Sequence, residues 1–214
     1  IMYRKTWMQV NLDKIERNLI KLKDICQKKI IAVLKADAYG CGDIHVARAV
    51  LEAGAEMIAV SSLDEALVLR NEGYLGKLLI LGATEASDIP VLIKQGISCT
   101  AYSDEWVDNV IQQNCADLHV HLKMDTGMSR IGFRTIDELH LAFNKLQAAN
   151  CTMEGIFTHF CCADSDLELT NLQFSKFKEA VESFSYSFPW VHCDNSDATA
   201  FFKEDTSNAC RIGI

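Results

Sequence analysis

The sequence predicts an α/β fold, a closed (β/α)8 TIM-type barrel in which eight parallel strands each lead into a helix packed outside them. Three observations predict it. Short, β-rich apolar runs alternate along the chain with longer stretches of helical periodicity. Eight such runs can be counted, the number that closes a cylinder. Only two prolines interrupt the pattern, and no G-x-G-x-x-G follows the first strand, which removes the best support for an open dinucleotide-binding sheet.

Taken in order, residues 6–10 read as a short strand and 12–28 as an amphipathic helix. That first strand is one more than the barrel needs, so it is expected to cross to a second domain beyond residue 214. The barrel strands are expected over residues 30–34, 57–60, 78–81, 98–101, 118–123, 155–158, 190–193 and 209–214. Helices are expected over 43–53, 62–71, 104–114, 136–149 and 166–184, most of them opened by a Ser or Asp whose side chain can accept from the first free N–H groups. No repeat, low-complexity tract or linker marks a boundary, so residues 1–214 read as one domain.

Composition narrows the function. A net charge of -8 argues against nucleic acid as a partner, because phosphate contacts need clustered Lys and Arg. The longest apolar runs fall far short of the ~20 residues that span a bilayer. Nine cysteines, an odd number without the spacings of a disulfide framework, fit a reducing cytoplasm. Cys161 and Cys162 are adjacent and lack paired C-x-x-C spacing, so no metal site is expected. The start Ile1-Met2 carries no signal-peptide core, and the chain reads as a piece of something longer.

In such a barrel the chemistry sits just after the strands, at their C-terminal ends. Strand one is followed by Lys35-Ala36-Asp37-Ala38-Tyr39-Gly40. A lysine at a desolvated mouth can shed its proton and attack a carbonyl, although by position alone a solvated strand-end lysine is the commoner case. Strand five ends in Lys123 and runs on through Gly127 and Arg130 to Gly132, with Arg130 a planar fork suited to a carboxylate. Strand six ends in Thr158-His159, where a lone His is as often packed as functional. Asn195-Ser196 and Gly213-Ile214 follow strands seven and eight, the two places where barrels bind phosphate. With a mouth lysine they describe a site for a phosphorylated aldehyde.

These residues resemble a known family. Ala32-Val33-Leu34-Lys35-Ala36-Asp37-Ala38-Tyr39-Gly40 is similar to the cofactor-attachment motif of the alanine racemases. Lys123 to Phe133, Thr158 to Asp164, Asn195-Ser196 and Arg211-Ile212-Gly213-Ile214 follow in the family's order, so the resemblance covers effectively the whole chain. It implies a fold-type III pyridoxal-phosphate barrel that racemises a small amino acid, L-alanine to D-alanine for the cell wall. Lys35 would carry the cofactor and act as one of two bases. Tyr39, Ser196, Gly213 and Ile214 would hold the phosphate beside Asn195, and Arg211 would face the pyridine nitrogen. Arg130 would contact the cofactor's phenolic oxygen and the substrate carboxylate, steadied by Lys123, commonly carbamylated in the family. His159 would pack near the ring and Arg211. Cys41 departs from the His often found there.

The resemblance also implies what lies outside the chain: a C-terminal β domain and, from a homodimer partner, the second base, a tyrosine. Residues 1–214 alone are therefore expected to be a poor racemase. Two other functions fit the same motifs. One is the serine racemase domain of a membrane-tethered, vancomycin-resistance-type protein. The other is a noncatalytic pyridoxal-phosphate-binding barrel, against which the long motif around Arg130 counts. A decarboxylase sharing the barrel is disfavoured by Arg211, since decarboxylation wants a carboxylate-paired pyridinium.

Overall fold

The structure, a computed structural model, describes residues 5–213. Eight parallel strands form its centre: β1 (Lys29–Val33), β2 (Met57–Val60), β3 (Leu78–Ile80), β4 (Cys99–Ala101), β5 (His119–Lys123), β6 (Thr152–Phe157), β7 (Trp190–His192) and β8 (Ala209–Gly213). They lie in the order β3-β2-β1-β8-β7-β6-β5-β4, and the bridge from Leu79 to Ser98 brings β3 to β4 and closes the cylinder. Every barrel strand expected from the sequence is present, with ends shifted by a few residues. Residue Ile214, expected to end the last strand, lies outside the described residues.

Helix α1 (Leu12–Cys26) precedes the barrel. The outer ring follows as α2 (Asp43–Glu52), α3 (Leu63–Asn71), α4 (Ile89–Gln95), α5 (Asp104–Ile111), α6 (Ile136–Ala148), α7 (Leu167–Glu182) and α8 (Ser196–Phe201). Ser62, Ser103, Thr135, Asp166 and Asn195 each accept a backbone N–H from the first turn of the helix they open. Helices α4 and α8 went unforeseen because each is only two turns or less.

The strand expected over residues 6–10 does not form; the chain there has no regular structure. In a closed barrel each strand already has both neighbours, so none offers a free edge to another.

Alternation along the strands sorts the core. Ile31, Val33, Met57, Ala59, Leu79, Trp190 and Ala209 pack together inside the barrel, whereas Ile30, Ala32, Ile58, Val60, Leu78 and Ile80 pack outward against the helices. Each such aliphatic side chain contributes about 1.5–3 kcal/mol by leaving water. The interior is apolar on the β1–β3 side and polar on the other, where β5, β7 and β8 bury His121, Lys123, His192 and Arg211. No helix among the described residues is long and apolar enough to cross a membrane, and all nine cysteines are free thiols.

Candidate active site

At the C-terminal ends of the strands the barrel opens into a cavity of about 350 Å³, the size of a small-molecule site. Lys35, Tyr39, Lys123, Arg130, His159, Asn195, Ser196, Arg211 and Gly213 all line it. These residues come from five different strand ends. The fold alone brings them together.

Lys35 follows β1 directly, and the chain then winds the wrong way. Ala36, Asp37, Ala38 and Tyr39 have φ of 53, 55, 50 and 56°, a left-handed turn of four residues with side chains. Such a turn costs roughly 1–2 kcal/mol per residue, so it needs ties. Glu65, at the start of α3, supplies two: Oε1 accepts from Ala36 N–H at 2.7 Å, and Oε2 accepts from the Ser61 N–H and hydroxyl. Burial pushes the Glu65 carboxyl up, but these donors outweigh it and hold it below its ordinary value. Asp37 Oδ1 accepts from Asp43 N–H at 2.8 Å and anchors the other end.

The turn folds Tyr39 back over the mouth. Lys35 Nζ sits 5.7 Å from the centre of its ring, and its hydroxyl lies against the backbone of Gly213. A Cβ at Gly213 would come within 2.7 Å of that oxygen, so a side chain there would push the Tyr39 hydroxyl away. On the other side Gly213 N–H donates to Ser196 Oγ at 3.0 Å. Asn195 does not face the opening with its carbonyl group. Its Oδ1 accepts from Ala198 N–H at 2.9 Å, which caps α8 and presents Ser196. Two hydroxyls and a backbone N–H thus converge on one small cradle.

Beneath the cavity lies Arg211, 4% exposed. One terminal nitrogen donates to His192 Nδ1 (3.0 Å) and His192 O (2.9 Å), the other to Thr158 O (2.8 Å), Cys193 O (3.1 Å) and His159 Nδ1 (3.2 Å). No acceptor among the described residues meets Nε–H, which leaves it as the donor available to the cavity that Arg211 lines. Burial lowers the guanidinium to about 10, still cationic at neutral pH. Because it can only donate, His159 Nδ1 must accept, and the ring carries its proton on Nε2. Burial and then Arg211 push His159 down to about 3, so the imidazole is neutral.

Lys123, at the end of β5, is 2% exposed. Burial lowers its ammonium to about 8, with Arg130 and Arg211 adding to the effect and only Asp125 opposing it. The loop after it doubles back on itself. Phe133 N–H donates to Lys123 O at 2.9 Å, Asp125 Oδ1 gathers the N–H groups of Gly127 and Ser129, and Gly132 (φ 131°) packs too close to Lys123 O for a side chain. That fold returns Arg130 to the cavity rim.

Two residues that hold the site were not foreseen: Glu65, which ties the turn after Lys35, and His192, which accepts from Arg211. Both depend on long-range pairing that nothing local in the sequence marks.

A closed parallel barrel with a small-molecule cavity built from several strand ends at its C-terminal mouth places the chain among the (β/α)8 barrels. The chain belongs to the alanine racemase family: the family described as "Alanine racemase, N-terminal domain" matches residues 10–214. Alanine racemase 1 of Oceanobacillus iheyensis is 39% identical over 223 aligned residues, which cover 99% of this chain and 59% of that protein. The crystal structure of alanine racemase from Bacillus anthracis with bound L-Ala-P superposes with a TM-score of 0.91 at 37% identity, covering 100% of this chain and 57% of that one. Histidine racemase from Leuconostoc mesenteroides superposes with a TM-score of 0.89 at 27% identity, covering 95% and 56%. The chain spans a little over half the length of the relatives it matches.

Proposed function

We propose that this barrel is the cofactor-binding part of a pyridoxal-phosphate-dependent racemase of small amino acids, with alanine as substrate. The observation that supports the reading most is the convergence of Lys35, the Tyr39–Ser196–Gly213 cradle and the free Nε–H of Arg211 on one cavity. Those residues fit pyridoxal phosphate by chemistry. An amine meets the aldehyde, hydroxyls and N–H groups meet the phosphate, and a donor that cannot accept meets a pyridine nitrogen. Bound there, the cofactor supplies an electrophilic carbonyl and an electron sink that acidifies the substrate's α-hydrogen.

The chain's own residues do the rest. Arg211 would donate to the ring nitrogen and keep it free of a proton, which would weaken the sink and suit brief proton removal and return. Lys35 takes or returns the α-proton on one face. Tyr39, Ser196, Gly213 and Ile214 fix the phosphate, with Asn195 acting through Ser196. His159, neutral and tied to Arg211 through Nδ1, would pack near the cofactor ring. Arg130 meets the substrate carboxylate and the cofactor's phenolic oxygen.

Lys123 is read as carbamylated. A carbamate would place a negative charge beside Arg130 and Arg211 where the structure buries a third cation. With the amine near 8, roughly a tenth is unprotonated at neutral pH, and the share grows as pH rises. Carbon-13-labelled bicarbonate is therefore expected to give one carbamate resonance, stronger at pH 8.5 than at pH 7 and lost in Lys123→Ala. A resonance that survives that substitution would place the carbamate elsewhere.

Racemisation needs a proton donor on the opposite face as well. On this reading it is a tyrosine of a C-terminal β domain contributed by a homodimer partner, outside residues 1–214, and the enzyme acts in the cytoplasm to supply D-alanine for peptidoglycan. The test separates the two halves of the reaction. With pyridoxal phosphate in heavy water, the chain should exchange the α-hydrogen of one enantiomer of alanine, the one that turns it toward Lys35, faster than that of serine or histidine of the same hand, while the other alanine enantiomer accumulates slowly. No α-exchange above cofactor alone would refute the reading, and faster exchange of serine would move the substrate.

A further inference from the structure

Inside the barrel, a single file of hydrogen bonds leads from Arg211 away from the cavity to the opposite end. Arg211 meets His192 Nδ1 at 3.0 Å, His192 Nε2 meets His121 Nδ1 at 2.9 Å, and His121 Nε2 meets Glu154 Oε2 at 3.4 Å. Glu154 lies at the N-terminal ends of the strands, where Oε1 accepts from Lys77 Nζ at 2.7 Å, Oε2 accepts from the Ser98 hydroxyl, and the half-exposed His119 stands 3.7 Å away. Both central histidines are fully buried.

The two ends dictate the direction of every link. A guanidinium only donates, so His192 Nδ1 accepts and its proton sits on Nε2. That proton goes to His121 Nδ1, which leaves the His121 proton on Nε2, pointed at a carboxylate that only accepts. Reversing either ring would set two N–H groups or two lone pairs head to head in a dry interior, at a cost of about 1–3 kcal/mol for each group left unpaired. Charge agrees with geometry. Burial pushes both imidazoles below their ordinary range, His192 further because Arg211 faces it, so both are neutral. Burial pushes the Glu154 carboxyl up, but its His and Lys partners outweigh that and hold it ionised.

The backbone is irregular where this file needs room. Val120 pairs with Met153 and His121 with Gly155, so Glu154 is the extra residue of a bulge in β6, which turns its side chain inward. At Gly155 a Cβ would collide with the His121 ring. His192 in turn lies flat on Phe157, ring centres 4.7 Å apart at 9°.

We propose that Glu154 is a positioning residue for the cavity at the other end of the barrel: it sets the tautomers of His121 and His192, and through them holds Arg211 with Nε–H free. The cofactor role of that N–H rests on the reading proposed above; the tautomers do not. Glu154→Gln tests it. The amide oxygen goes to Lys77, which can only donate, and the amide NH2 is left facing His121 Nε2. Both rings must then carry their protons on Nδ1, and His192 would present a donor to Arg211.

Nitrogen-15 histidine spectra of the unmodified chain should show His121 and His192 as Nε2–H tautomers. In Glu154→Gln both should change to Nδ1–H, and the Arg211 Nε–H resonance should move. Lys77→Met should change neither, because the carboxylate remains. Pyridoxal phosphate should bind Glu154→Gln about ten-fold more weakly, the loss of one charge-assisted hydrogen bond. An Nδ1–H tautomer at His192 in the unmodified chain would overturn the proposal without any variant, and so would an unmoved Arg211 resonance in Glu154→Gln. Failure of the unmodified chain to bind pyridoxal phosphate would instead refute the cofactor reading and leave the tautomer readouts to decide this one.

Discussion

Lys35→Ala is expected to abolish α-hydrogen exchange, lowering its rate by about 10⁴ or more, because the proposed function makes this one residue both nucleophile and base. The fold should survive. Lys35 is exposed at the cavity and makes no hydrogen bond that holds the left-handed turn after it; Glu65 and Asp37 do that through backbone groups. The melting temperature of the variant should therefore stay within a few degrees of the parent, and a small primary amine added to the solution should restore part of the exchange. Loss of folding in Lys35→Ala, or exchange at the parent rate, would show that Lys35 is not the residue that carries the reaction.

Arg211→Leu is expected to produce the largest loss of stability of any cavity substitution. The guanidinium satisfies three buried carbonyls and two imidazole nitrogens, and leucine satisfies none. A cost of about 3–5 kcal/mol follows from breaking so buried a network. At about 2–4 °C per kcal/mol for a chain of this size, the melting temperature falls by about 10 °C or more. Arg211→Lys should fall between, since three N–H donors cannot reach five acceptors and no Nε–H remains for the cavity. Denaturation of the three chains in urea measures this directly. A leucine variant as stable as the parent would mean that the network is worth little.

The cavity residues were legible in the sequence because a barrel puts its chemistry after the strands, and short apolar runs mark where strands end. Lys35, Lys123, His159 and Ser196 each stand at such a place, whereas Arg211, in the middle of β8, was named only through the family resemblance. What holds them was not legible. Nothing local marks residues 36–39 for a left-handed turn, since none is glycine; the turn exists because Glu65, 29 positions on, receives its first N–H. Glu154 reads as an ordinary strand residue until the bulge re-aims it, and the bulge is a property of the pairing between β5 and β6. His121 and His192 are 71 residues apart and meet only across the closed barrel. The expected strand at 6–10 erred in the other direction: a local β pattern says nothing about whether an edge is free to receive it.

In the proposed function the mouth of this barrel holds pyridoxal phosphate on Lys35. Borohydride reduction of the chain with one equivalent of pyridoxal phosphate, followed by peptide mapping of the label, tests it most directly. The expected result is a visible absorption band before reduction and a single label per chain on Lys35. Label scattered over surface lysines such as Lys5, Lys14 and Lys21, with no visible band, would contradict it.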